Sequence, residues 1–242
     1  MKNNLSRLVL VTFDVLAIYI SIILAFLLRM WLDPLFGFGT AGELTHYTDK
    51  LIVYIVVVIT FLGLSIYKYR HDFWEETSIV LKSLALSLVL VLSVLALSKS
   101  VENYSRFIIL ASFAIMAFVI PIFKFILKKK LSVFGLWVKK AEVISKDSRV
   151  IKEIFSNRYL GYVKSSHEDS DVVFMDTAGQ TKEQIELKLS SFAHEKKEII
   201  FIPLLNSFNY ANAGIVEIFN ARTNMIILEN SLMKKQNIVV KK

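Results

Sequence analysis

Phe125-Ile-Leu-Lys-Lys-Lys-Leu-Ser-Val-Phe-Gly-Leu-Trp-Val-Lys-Lys140 is the stretch on which the fold turns. Before it lie apolar segments long enough to cross a bilayer. After it the chain is polar, with short alternating runs that predict a small α/β domain. The organisation expected is a four-transmembrane-helix bundle over 1–130, a basic junction over 131–140, a cytosolic domain over 141–230 and a bridge over 231–242.

Composition agrees with two units. A chain of 242 residues with 55% hydrophobic content and a mean hydropathy of +0.53 is too apolar for one ordinary soluble domain. The net charge of +8 is unevenly placed: residues 1–140 carry 15 basic against 8 acidic side chains, and residues 141–242 carry 14 against 13. A basic excess confined to the apolar half reads as a topology signal and as attraction to membrane lipid, not as a nucleic-acid footprint. Cysteine is absent, which excludes disulfides, thiolate metal sites and a catalytic thiol. His46, His71, His167 and His194 have no metal-ligand spacing and are expected to be solvated surface residues.

Four windows stand out, near Leu8–Leu28, Leu51–Tyr67, Ile79–Leu97 and Phe107–Leu127. Each suffices to span a hydrocarbon core as a helix, and lipid excludes an open sheet even for the β-branched run from Ile52 to Ile59. The first window is too long for a signal-peptide core and is expected to be retained. Lys2, Arg7, Lys68, Arg70, Lys82 and the lysines of 124–140 fall on one side, against Arg29, Lys50, Lys99 and Arg106 on the other. The richer side is expected to be cytoplasmic, which puts both termini and the α/β domain there, in a bacterial inner membrane.

Asp14 falls inside the first window, where a bare carboxylate is costly and demands a partner. Lys82 and Lys124 are the candidates at plausible depth for an intramembrane ion pair; the alternative is a relay or a polar contact serving a lipid phosphate. The loop Tyr67-Lys-Tyr-Arg-His-Asp-Phe-Trp-Glu-Glu76 reads as an interfacial anchor.

In the polar half, strands are expected at Ala141–Ser145, Asp171–Met175, Glu198–Ile202 and Met225–Leu228, and helices at Ser148–Ser156, Thr181–Glu195 and Asn212–Ala221. Alternation of strand and helix predicts a parallel sheet with Rossmann-like winding. A dinucleotide site needs glycines at the first strand-to-helix turn, and here the turn is Ser145-Lys-Asp-Ser148. Lys146 and Ser148 are the candidates for binding a cofactor there, and Asp147 opposes a phosphate. A purely structural domain is the competing reading.

The order of these features resembles the N-terminal part of the bacterial polyprenyl-phosphate sugar-1-phosphate transferases, of the undecaprenyl-phosphate galactose phosphotransferase type. The resemblance is carried by Asp14 with Arg29, by Tyr69-Arg-His-Asp-Phe-Trp-Glu-Glu76, and by Tyr104-Ser-Arg106. It continues through Phe134-Gly-Leu-Trp137 with Glu142-Val-Ile-Ser145, and through Glu229-Asn-Ser-Leu-Met233, Asn237 and Lys241-Lys242. It implies transfer of a sugar phosphate from a nucleotide sugar to undecaprenyl phosphate, beginning O-antigen, capsule or exopolysaccharide assembly. The chemistry is implied to reside in a C-terminal domain with an Asp-Glu pair and magnesium, beginning where Lys242 ends this sequence.

The expectation is therefore an anchoring, oligomerising and regulatory portion of such a transferase, either truncated or half of a split enzyme. No catalytic residue, cofactor or metal ligand is assigned within it, and the catalytic step is expected from a separate sugar-transferase chain. The competing readings are the front end of a membrane-bound nucleotide-sugar dehydratase and a non-enzymatic membrane scaffold.

Overall fold

The computed structural model describes residues 2–37, 42–49, 51–97, 105–145, 148–176, 180–181, 183–188, 198–202, 214–218 and 223–229. The chain divides into two units, Met1–Leu131 and Ser132–Lys242.

The first unit consists of α1 (Lys2–Phe36), the short α2 (Thr45–Thr48), α3 (Leu51–Gly63), α4 (Phe73–Leu97) and α5 (Arg106–Val133). Four of its segments, Leu5–Phe36, Thr45–Gly63, Phe73–Leu97 and Arg106–Val133, are long and apolar enough to cross a membrane. Each long helix buries one stripe and presents leucine, isoleucine, valine and phenylalanine outward, the inverse of a helix that must face water. Leu10, Asp14, Ala17, Ser21 and Ala25 form the stripe of α1. That of α4 is Glu76, Val80, Ser83, Ser87 and Val91, and that of α5 is Ser112, Met116, Ile120, Lys124 and Lys128. Small residues on these stripes let helices approach closely. Thr60 of α3 and Ser87 of α4 share a buried hydrogen bond of 2.6 Å between their hydroxyls.

α3 ends at Gly63, four residues before the sequence-based limit at Tyr67, and the reason is local. Ser65 takes a left-handed conformation, φ 59°. The Ile66 amide then donates to the Phe61 carbonyl at 3.1 Å and the Ser65 amide to the Leu62 carbonyl at 3.0 Å. This double closure satisfies the last carbonyls of a helix that has turned out of its axis. α4 starts six residues before the window expected from hydropathy, with Glu75 and Glu76 in its first turn, where acids complement the helix dipole.

At the other end of the unit, Phe26 of α1 packs against Tyr47 of α2 at 6.1 Å between ring centres. The Tyr47 hydroxyl accepts from the amide of Ser105, just before α5.

The second unit holds β1 (Lys139–Ile144), α6 (Ser148–Ser156), β2 (Tyr162–Lys164), β3 (Val172–Asp176), β4 (Glu198–Ile202), β5 (Gly214–Ile218) and β6 (Thr223–Glu229). A helical segment also covers 183–188. The strands form one sheet in the order β2-β1-β3-β4-β6-β5. The first four are parallel; β6 runs antiparallel to β4 and β5 antiparallel to β6. The expectation of a parallel sheet is met by four strands and corrected at one edge, and residues 214–218 of the expected helix at Asn212–Ala221 are instead the strand β5, the remainder lying outside the described residues. Ile215, Val216 and Ile218 are β-branched and fit a pleated surface better than a helix.

Parallel strands are normally covered on both faces, and β3 is: Val172, Val173, Phe174 and Met175 are all buried. Val173 and Met175 pack with Ile199, Phe201 and Ile185 on one side. On the other, Phe174 meets Tyr162 edge to face at 4.8 Å. The Trp137 indole N–H donates to the Tyr159 carbonyl at 2.7 Å, tying the start of the unit to the turn before β2.

Candidate functional site

The first unit gathers its charges. Asp14 sits about 14 Å along α1 from Leu5, and Lys124 about 14 Å back along α5 from Val133. Both positions lie inside membrane-length segments, and the two side chains meet, with Lys124 Nζ 2.7 Å from Asp14 Oδ2. The same ammonium lies 3.6 Å from Glu76 Oε1, and Glu76 Oε2 pairs with Lys128 one turn further along α5. All four side chains are at most 2% exposed. The result is an alternating chain, acid-base-acid-base, with no net charge. Buried charges persist only when paired and hydrogen-bonded, and this arrangement meets that condition for each member.

Tyr67, just after the α3 turn, donates its hydroxyl to Asp14 Oδ2 at 2.5 Å. Burial raises this hydroxyl well above the ordinary phenol range, and the neighbouring Asp14 carboxylate raises it further. Its proton therefore stays in place as a donor at any physiological pH. Lys124 also lies 4.8 Å from the centre of the Tyr67 ring, a cation–π distance.

Beside this chain, His71 is 5% exposed. That corrects the expectation of a solvated surface histidine: the ring stands edge-on to Tyr69 at 6.2 Å, and Nδ1 lies 3.4 Å from Glu75 Oε2. His46 and His167 are exposed, His167 pairing with Glu142 at 2.7 Å, and His194 lies outside the described residues.

Of the three sequence candidates, the structure brings Asp14 and Lys124 together and leaves Lys82 on the exposed face of α4. Glu76 and Lys128 were missed as members. The signal was present, since continuing the buried stripe of α4 back from Val80 reaches Glu76, and continuing that of α5 from Lys124 reaches Lys128.

In the second unit, chain order reverses between β1 and β3: β2 lies on one side of β1 and β3 on the other. The carboxyl ends of strands at such a switch point are where open parallel sheets take ligands. Here the Ser145 hydroxyl donates to Asp176 Oδ2 at 2.8 Å. The Gln180 amide donates to the Asp176 carbonyl at 2.6 Å. A carboxylate thus occupies the place where a phosphate would approach. Ser148 begins α6 and is exposed, while Lys146 lies outside the described residues. Thr181 and Gln184 cap the segment that follows, the Gln184 amide donating to the Thr181 hydroxyl at 3.4 Å and the Thr181 amide to the Gln184 side chain at 3.1 Å.

Among the described residues no three His, Asp or Glu side chains come together to hold a metal ion. The acids of the membrane network face lysines instead, so this donor set does not fit magnesium. No family model matches the chain. No curated protein matches it either.

Proposed function

We propose that residues 1–242 form the membrane-anchoring and regulatory portion of a sugar-phosphate transferase that begins polysaccharide assembly on undecaprenyl phosphate. In this reading the four apolar helices form a bundle in a bacterial inner membrane, with both termini cytoplasmic. The second unit is a Rossmann-like cytosolic domain, and a catalytic domain or partner chain carries out the transfer with its own magnesium. One observation supports it above others. Asp14 and the Tyr69–Glu76 stretch, two of the motifs that carry the family resemblance, supply both carboxylates of one buried network. Motifs far apart in sequence thereby acquire a common physical role: fixing α1, α4 and α5 against one another.

The test is to delete the chain from its native cell and measure the lipid-linked first sugar. A fall in undecaprenyl-diphosphate sugar, restored by re-expression, supports the proposal; an unchanged pool refutes it. A second reading, a membrane scaffold without a transferase partner, is favoured by the charge balance among Asp14, Glu76, Lys124 and Lys128. It predicts an unchanged lipid-linked pool in the same experiment.

A further inference from the structure

Among the described residues of the four membrane-length segments, Lys82 is the one exposed charge that lies more than two turns from both ends of its helix. It stands about 14 Å along α4 from Phe73 and about 22 Å from Leu97. No described residue forms a hydrogen bond or ion pair with it. The next acid along the same face of α4 is Glu75, two turns back at about 10 Å, and Glu75 faces His71. Asp14, Glu76, Lys124 and Lys128 offset the cost of charge in a bilayer by burial and pairing with one another. Lys82 carries the same cost and has no such partner within its own chain.

The surroundings of Lys82 narrow what can answer it. Ser78, Ala85, Val89 and Ser93 share its face at spacings of three and four residues, and all are exposed. They are smaller than the exposed Leu81, Leu86 and Leu90 beside them, so another helix can approach closely here. Trp74, 58% exposed, suits the headgroup level, and Lys82 lies about 12 Å further along α4. An extended lysine stem covers about 6 Å, which leaves the ammonium below the phosphates. A second copy inserted in the same orientation and related by a two-fold axis would set Lys82 against Lys82, a repulsion rather than a bond.

We propose that the Lys82 face of α4 is a docking surface for a membrane helix of another protein, one that carries a carboxylate at matching depth. Its carboxylate accepts from the Lys82 ammonium, repeating between chains the contact that Asp14 and Lys124 make within this one. The charge decides the chemistry of the partner, and the small side chains around it permit the approach. This inference rests on the reading of α4 as a membrane span and needs no transferase activity in the partner.

The probe is a synthetic leucine- and alanine-rich helix of about 20 residues, with one glutamate about 12 Å from a dansyl group at its end. It is added to the full chain in phosphatidylcholine vesicles. Trp31→Phe leaves Trp74 as the membrane tryptophan that transfers energy to the dansyl group, while Trp137, buried in the second unit, is a constant background. Half-maximal transfer should need at least about five-fold less of the glutamate helix than of the same helix with leucine there, the scale of one polar contact between membrane helices. Lys82→Met should abolish the difference and Lys82→Arg should keep it; the position is exposed, so neither change disturbs the packed stripe of α4.

Equal transfer to the two helices overturns the proposal, as does a preference that Lys82→Met leaves intact. The preference should persist when about one third of the lipid is phosphatidylglycerol. Its loss there would mark lipid phosphate as the occupant, and self-association that depends on Lys82 would mark a second copy; either result overturns the assignment. A chain that alkaline carbonate strips from the vesicles refutes the membrane reading of α4 and the proposal together. A chain that stays inserted and shows no preference refutes the proposal alone.

Discussion

Replacing Lys124 with methionine keeps the length and apolar stem of the side chain and removes its charge. The network then sets Asp14 and Glu76 against Lys128, leaving Asp14, 2% exposed, without the ammonium that it faces. Two opposing terms decide the outcome. At 2.7 Å the attraction lost is about 6 kcal/mol for an effective dielectric constant of about 20. The desolvation avoided by deleting the ammonium is several kcal/mol, which nearly cancels it. What remains is the stranded Asp14, and breaking one partner of a buried pair costs about 3–5 kcal/mol.

Asp14→Leu strands the opposite charge and should cost a similar amount. Together, Asp14→Leu with Lys124→Met leaves Glu76 and Lys128 balanced and should recover most of the loss, landing within about 1–2 kcal/mol of the parent. The assay is thermal or denaturant unfolding of the four proteins in one detergent, analysed as a double-mutant cycle, with an expected coupling of at least about 4 kcal/mol from those single and double losses. Additive single losses, or singles that each cost less than about 1 kcal/mol, refute the buried alternating chain as the organiser of these helices.

Tyr67→Phe removes the 2.5 Å hydrogen bond to Asp14 and should cost about 1.5–3 kcal/mol, read by the same unfolding assay. Because the folded state holds the Tyr67 proton above the ordinary phenol range, its stabilisation is intact below about pH 10 and lost as pH rises beyond. Stability of the parent should therefore fall about 1.4 kcal/mol per pH unit more steeply than that of Tyr67→Phe in that range, and parallel slopes would contradict it. Ser65→Gly relieves a left-handed φ of 59° at the end of α3 and should stabilise by about 0.5–1 kcal/mol; a loss of stability would show that the serine side chain contributes more than the backbone strain removes.

The membrane helices were legible because hydropathy over a long window has few physical alternatives: lipid forces backbone groups to pair within a segment. Their ends were not, because helices of 35, 25 and 28 residues continue past the apolar windows into charged sequence. That continuation concealed Glu76, which reads as part of a loop when the helix is taken to start at Ile79. The strands Glu198–Ile202 and Val172–Asp176 were legible from runs of buried β-branched and aromatic residues. β5 was misread as helix because Ile215, Ile218 and Phe219 also satisfy a three-to-four spacing; only pairing with β6, a nonlocal event, decides between the two periods. The pairing of Asp14 with Lys124 rather than Lys82 likewise depends on which faces of α4 and α5 turn inward, which hydropathy alone does not specify.

The two ends of the Asp14–Lys124 bond are separated by 110 residues of chain. At a synthesis rate of about 5–20 residues per second, the acid emerges roughly 5–20 s before the base exists. During that interval Asp14 lacks the Lys124 ammonium that it faces in the folded unit. A chain that has not yet reached α5 thus carries Asp14 in a membrane-length helix before the ammonium that it faces in the finished unit has been made.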